Sequence, residues 1–304
     1  MSNHKKIVIT GASGFLGSHL VERLKGDERY DVYALSSRPN ELKEKFGGGN
    51  IVYINKDALS MEVLKDAIVV NCAYPRNSTG TAIADGLKYI QRVFESAVEN
   101  FATAIINISS QSVYSQQRIE AATEKSSVCL ETPYAVGKYA VELMIGSICK
   151  GSRTKYTSLR MASLIGPGFN QRIVNRLIRF GMENDCLVVD DSEQLFGFMD
   201  VKDAAEAIEC LILHEKSPWN EVYNLSNNNA YTLVYIAENI KVVFWEKEQK
   251  KIDIQKHNND KKYNTSVNAN SFCNSFGFSA KYGLNDSIRR IFDDIKQNGL
   301  GKNQ

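Results

Sequence analysis

Along the first half of the chain, short apolar runs alternate with segments whose apolar residues recur every three or four positions. The runs Lys6–Thr10, Val32–Ser36, Ile51–Ile54, Ile68–Ala73, Ala104–Ser109 and Thr157–Leu164 read as strands. A helical pattern opens at Phe15, another lies within 80–100, and a third runs from about Pro133 through Cys149, with proline suited to a first helical turn. Such alternation predicts an α/β fold on a parallel sheet with right-handed crossovers. After Gly168 the pattern changes to a helix over 172–182, a short strand Cys186–Val189 and a crossing segment Phe196–Asp203 that returns to the sheet. Residues 204–214 then read as helix and 221–226 as strand. From 230 onward come an amphipathic helix, a charged strand Lys251–Lys256 and a C-terminal helix near Asn285–Ile295. The chain thus divides into two interleaved parts, 1–168 with 197–226, and 169–196 with 227–304.

Composition narrows the class. With 304 residues and 43% hydrophobic content the chain can bury a large core. A net charge of +2, with basic residues scattered, argues against a nucleic-acid partner, and the lysine-rich stretch near 247–262 is balanced by acids and asparagines. The six cysteines show no Cys-x-x-Cys spacing and the four histidines form no metal-ligand motif, so a reduced cytoplasmic protein without a metal is expected. No apolar stretch is long enough to cross a bilayer, and none resembles a signal peptide.

Two motifs carry chemistry. Thr10-Gly11-Ala12-Ser13-Gly14-Phe15-Leu16-Gly17 lies where the first strand turns into the first helix. There Gly11 permits a tight turn, Gly14 a close backbone approach to a pyrophosphate and Gly17 close helix–strand packing, while the helix N-terminus offers free N–H groups and a positive dipole end. Further on, Tyr134-Ala135-Val136-Gly137-Lys138 puts a phenol and an ammonium four residues apart, on one helix face. An ammonium beside a phenol favours phenolate, which suits proton exchange with a substrate oxygen. Upstream, a buried-strand pattern runs into Ser109, Ser110, Gln111 and Ser112.

In this order the motifs identify the chain as similar to the extended short-chain dehydrogenase/reductase family, which includes nucleotide-sugar epimerases and keto-sugar reductases. The resemblance spans nearly the whole chain, through Asp57-Ala58, Asn71-Cys72-Ala73, Arg160, Gly166-Pro167-Gly168 and Phe198-Met199-Asp200. It implies a Rossmann-type doubly wound parallel sheet (1–168 and 197–226) with a smaller C-terminal substrate lobe (169–196 and 227–304). Ser110 would be the catalytic serine, Tyr134 the proton donor and Lys138 its activator. The cofactor would meet Gly11, Ser13, Gly14, Phe15, Leu16, Gly17, Asp57, Ala58, Cys72, Ala73, Tyr74 and Ser109 as well as Tyr134 and Lys138. Ser109 and Ser112 equally suit a turn or cap.

At the end of the second strand, Ser36-Ser37-Arg38 stands where an acid would accept from the ribose of NAD. A guanidinium pairs with phosphate, so NADP is favoured, with Ser36 and Ser37 as further donors and NAD as the alternative. The expected reaction is NADPH-dependent reduction of a nucleotide-linked 4-keto-6-deoxyhexose. The alternatives are an epimerase with recycled cofactor and a non-catalytic NADP sensor. Two departures bear on the substrate: Phe196 occupies the place of the family's diphosphate-binding arginine, and Asp200 that of its usual histidine or tyrosine. Arg172 and Arg176, spaced to share a helix face, or Lys262 are the substitutes, although a solvated basic face fits the arginine spacing. Tyr74, Arg76, Gln111 and Ser112 are further candidates for substrate contact. The resemblance also implies a homodimer through the helices near 80–100 and 134–149.

Overall fold

The computed structural model describes residues 4–75, 79–169 and 171–299. Its elements in chain order are β1 Lys5–Thr10, α1 Phe15–Leu24, β2 Tyr30–Ser36, α2 Pro39–Phe46, β3 Ile51–Asn55, α3 Met61–Leu64, β4 Ile68–Asn71, α4 Gly80–Glu99, β5 Ala104–Ser110, α5 Pro133–Cys149, β6 Lys155–Met161 and β7 Ser163–Ile165. They continue with α6 Ile173–Asn184, β8 Cys186–Asp191, β9 Phe196–Asp200, α7 Val201–Leu213, β10 Val222–Leu225, β11 Ala230–Tyr231, α8 Leu233–Glu248, β12 Asp253–Asn258, α9 Asn270–Phe276 and α10 Leu284–Asn298. A 3-10 turn, Gln111–Val113, follows β5.

Seven strands form one sheet in the order β10-β6-β5-β4-β1-β2-β3. The pairs from β6 to β3 are all parallel. Chain order reverses between β1 and β4, the switch point at whose carboxyl ends α/β sheets build their sites. This is the Rossmann-type α/β fold. Its central strands β1, β4 and β5 carry the apolar runs IVI, IVV and AII, as expected where helices cover a parallel sheet.

Two compact units share the chain. The first comprises Met1–Ser115, Ser127–Met161 and Ala205–Tyr223. Its core includes Val8, Val69, Phe94, Ile105, Val141 and Ile145. The second comprises Gln116–Ser126, Ala162–Ala204 and Asn224–Gln304, with Ile178, Leu187, Ile240, Phe244, Ile291 and Phe292 in its core. In it β9 pairs in parallel with β7 and antiparallel with β11, and β12 pairs in parallel with β8. These boundaries differ from those read in the sequence. The segment 116–126 joins the second unit through an Ala122–Val267 bridge and the bond from Asn264 N–H to Arg118 O, 2.6 Å. The run Thr157–Leu164 is not one strand: it breaks at Ala162, and β6 and β7 enter different sheets.

Candidate active site

Gly11 adopts φ +64°, which suits glycine, and a Cβ there would lie 2.7 Å from the backbone nitrogen of Ala73. A Cβ on Gly17 would lie 2.3 Å from the Gly11 carbonyl oxygen, so α1 packs against the turn at a distance no side chain permits. Gly14 is the N-cap of α1 and supplies no side-chain acceptor, whereas Thr79, Thr132 and Thr232 cap α4, α5 and α8 through their hydroxyls. The amides of Phe15, Leu16 and Gly17 therefore open the helix without a side-chain cap, beside exposed Ser13. That cradle fits a dinucleotide pyrophosphate.

At the end of β2, buried Ser36 accepts at Oγ from the Arg38 backbone N–H, 3.0 Å. Ser37 is exposed, and the Arg38 guanidinium pairs with Glu41, 3.0 Å away on the next helical turn. After β3, Asp57 takes ion pairs from Lys56 and from Arg92 (2.8 Å), which hold its carboxyl below the usual range. The Ala58 N–H closes that turn on Asn55 O, 2.9 Å.

A buried polar row crosses four neighbouring strands in register. Thr10 Oγ1 donates to Asn71 Oδ1 (2.7 Å), Asn71 Nδ2 to Asn107 Oδ1 (3.1 Å), and Asn107 Nδ2 to Ser158 Oγ (3.1 Å). The row ties together β1, β4, β5 and β6; beyond it β1 leads into the glycine turn, β4 into Cys72-Ala73-Tyr74 and β5 into its last residues, Ser109-Ser110. Burial raises the Cys72 thiol, keeping it neutral.

On α5, Tyr134 and Lys138 share a face. Lys138 is buried and its Nζ donates to the Ile108 carbonyl of β5, 2.7 Å, which ties the helix to the strand bearing Ser110. Ser110 Oγ accepts from Ser112 N–H (3.2 Å) and Ser112 Oγ (3.0 Å), which leaves the Ser110 hydroxyl proton available to an incoming oxygen. Ser112 and Gln111 lie in the 3-10 turn that Ser110 caps. Ser109 is instead buried, donating to Glu142.

One helical turn beyond Lys138, the Glu142 carboxylate takes a forked pair from Arg160 of β6, Nε at 3.0 and 3.1 Å and Nη2 at 2.6 Å. Arg160 Nη1 also donates to Tyr114 Oη, 2.9 Å. The side chains of Arg160 and Glu142 are 6% and 4% exposed, so this charge pair is desolvated and each partner depends on the other. It joins β5, α5, β6 and the exit of the 3-10 turn, the elements that carry Ser110, Tyr134 and Lys138.

A family model described as the NAD dependent epimerase/dehydratase family matches residues 7–226. The chain belongs to that family. Similarity extends to Protein CapI of Staphylococcus aureus, 24% identical over 95% of this chain and 97% of that protein, and to a protein described as an uncharacterized UDP-glucose epimerase, YtcB, of Bacillus subtilis, 24% identical over 68% and 72%. Among solved structures, UDP-glucuronic acid 4-epimerase from Bacillus cereus in complex with NAD superposes with TM-score 0.81, 20% identity and 98% of each chain covered. UDP-N-acetylglucosamine 4-epimerase from Methanobrevibacter ruminantium, in complex with UDP-N-acetylmuramic acid, gives 0.79 at 23% identity, over 98% of this chain and all of that one. As an epimerase/dehydratase family member the chain is an NAD-dependent enzyme of the extended short-chain dehydrogenase/reductase type.

The remaining candidates of this epimerase/dehydratase chain lie in the second unit or outside the described residues. Arg172 is the N-cap of α6, its guanidinium 4.8 Å from the Phe169 ring, and Arg176 is exposed one turn on. Phe196 pairs with Tyr231 between β9 and β11. Asp200 is buried at the end of β9, accepting from Ser287 Oγ (2.5 Å) and paired with Arg290 of α10, so it anchors that helix. Arg76 lies outside the described residues. Among the described residues no helix is long and apolar enough to cross a membrane, and no cluster of metal-ligating side chains occurs. Sequence reading gave no role to Glu142 or Tyr114. Glu142 could have been found, since Tyr134, Lys138 and Glu142 follow at intervals of four on a helix.

Proposed function

We propose that this enzyme acts on a nucleotide-linked sugar as an epimerase, with a nicotinamide dinucleotide retained and recycled. The observation that carries the proposal is the Tyr134–Lys138 pair on α5, held through Ile108 O against the strand end that carries Ser110. Ser110 donates to the sugar oxygen and orients it, and Tyr134 Oη takes or returns the proton at that oxygen. Lys138 holds the nicotinamide ribose and keeps positive charge beside the phenol, while the α1 cradle of Gly11, Gly14 and Gly17 receives the pyrophosphate. Asp57, Ala58, Cys72, Ala73 and Tyr74 complete the cofactor's surroundings in this reading. The bound cofactor supplies hydride exchange at the carbinol carbon. The family and the UDP-sugar enzymes among the relatives support the epimerase more than the net reduction that the sequence suggested first. A homodimer through α4 and α5 belongs to the same reading; Val136 and Leu143, seven residues apart on α5, are exposed.

A second reading rests on one observation. Ser36 and Arg38 stand where an acid would select NAD, and the Arg38–Glu41 pair is exposed enough for a phosphate to displace it. NADPH-dependent reduction of a nucleotide-linked 4-keto-6-deoxyhexose, with Arg172 and Arg176 on the diphosphate, follows from it. The test is incubation with UDP- and dTDP-sugars and their 4-keto derivatives, following NADPH and NADH absorbance and product stereochemistry. Changed stereochemistry without nicotinamide consumption supports the epimerase, and stoichiometric NADPH consumption replaces it with the reductase. Tyr134→Phe is expected to lower turnover about 10²- to 10⁴-fold with cofactor affinity unchanged. Surviving turnover removes Tyr134 as proton carrier.

A further inference from the structure

Tyr74 follows the strand end Asn71-Cys72-Ala73, and two helices are shaped around it and its neighbour. A Cβ on Gly137 of α5 would lie 2.1 Å from Tyr74 Oη, and a Cβ on Gly86 of α4 would lie 2.6 Å from Pro75 Cδ. Neither glycine adopts positive φ, so neither is there for its backbone freedom. Each costs its helix about 1 kcal/mol relative to alanine. Two such costs, on two helices flanking one dipeptide, mark a seat kept clear for Tyr74-Pro75.

From that seat the Tyr74 ring meets both members of the acid–base pair. Its centroid is 4.3 Å from Lys138 Nζ, nearer than the Tyr134 ring at 5.8 Å. It stands edge-to-face to Tyr134, centroids 5.2 Å apart at 82°, and Tyr74 Oη donates to Tyr134 O at 3.4 Å. Among the described residues Lys138 has no carboxylate partner, and a buried ammonium needs compensation. One N–H goes to Ile108 O, and the aromatic face supplies the second partner without adding a competing base.

We propose that Tyr74 is a positioning residue for Lys138: its ring face holds the ammonium at the Tyr134 face of α5, from a seat that Gly86 and Gly137 keep open. The functional part of this inference rests on the reading that Lys138 serves Tyr134 and the nicotinamide ribose. The placement itself is testable without substrate or cofactor. Competitive acetylation of the apoprotein with acetic anhydride, read at Lys138 by mass spectrometry, reports how well the amine is held. Tyr74→Phe keeps the ring face and is expected to label within twofold of the unaltered protein. Tyr74→Leu keeps bulk but loses the face, and should label about tenfold faster, the size of a desolvated cation–π contact. Gly137→Ala expels the hydroxyl and should resemble Tyr74→Leu. Adding Tyr74→Phe to Gly137→Ala removes the atom at 2.1 Å and should restore slow labelling. Slow labelling in Tyr74→Leu, or fast labelling in Tyr74→Phe, overturns the proposal. With an active substrate, Tyr74→Leu should lower kcat about tenfold and displace its pH profile at unchanged KM, and an unmoved profile also overturns it. If no sugar is turned over by the unaltered protein while the labelling pattern holds, the proposed function fails and the placement of Lys138 stands.

Discussion

Each unit of this chain sets a buried carboxylate against an arginine and a buried serine hydroxyl, and puts them to different use. In the first, Glu142 is gripped by both edges of the Arg160 fork and by Ser109, and Tyr114 takes a further guanidinium N–H. In the second, Asp200 takes Ser287 and one terminal nitrogen of Arg290, whose guanidinium lies 4.5 Å from the Tyr282 ring. Arg290 Nε and Nη1 make no hydrogen bond among the described residues, and its side chain is 22% exposed. The chemistry is shared, but the elements joined differ. Glu142 ties together the elements bearing Ser110, Tyr134 and Lys138, whereas Asp200 fastens α10 to the β9–α7 turn. A buried carboxylate held by an arginine thus says nothing of function by itself; what its elements carry does.

Removing one partner separates the two sites most strongly. Glu142→Gln should cost about 3–5 kcal/mol of unfolding free energy in urea melts, since it leaves a buried arginine uncompensated, and Asp200→Asn about 1–3 kcal/mol, since Arg290 is partly exposed. Only Glu142→Gln should also lower kcat in protein that remains folded, about tenfold or more, because only there do the reacting groups lose their frame. Loss of kcat in Asp200→Asn would dissolve the distinction. Replacing the whole pair sharpens it: Glu142→Met with Arg160→Met should recover most of the lost stability yet not the turnover. Full recovery of both would show that the pair only fills space. Smaller effects are expected from the hydroxyls, about 1–2 kcal/mol each for Ser109→Ala and Ser287→Ala, with kcat reduced in the first alone. The smallest stability change belongs to Arg38→Ala, under about 1 kcal/mol because its pair with Glu41 is exposed. There the informative reading is the ratio of NADPH to NADH affinity, which should fall; an equal change in both removes Arg38 from cofactor choice.

Much of this was legible in the chain itself. The limits of α5, Pro133–Cys149, follow from Thr132 as cap, proline in the first turn and an apolar face behind Tyr134 and Lys138. The glycine turn was readable because three glycines at fixed spacing answer three separate steric demands. Other features are decided by contacts remote in sequence. Thr157–Leu164 is continuously β-like, and nothing local tells it to change sheets at Ala162. Phe196–Asp203 contains the whole of β9 and the start of α7, with Asp200 Oδ1 accepting from the Lys202 N–H at the junction. The short helices α2, α3 and α9 span eight, four and seven residues, too few turns for periodicity to register. Spacing puts Glu142 on the face of Tyr134 and Lys138, but its burial becomes legible only when Arg160, eighteen residues away, is found against it.

The polar row beneath the strand ends has a direction. Two hydroxyls with two amides between them can pair in a line in only two ways, every donor pointing from Thr10 towards Ser158 or every one pointing back. The end hydroxyls can donate or accept, but turning Asn71 alone sets its oxygen against that of Asn107, and turning Asn107 alone sets N–H against N–H. The four side chains therefore reverse together or not at all, and the strands on which the site stands carry a single collective orientation, as a row of compass needles does.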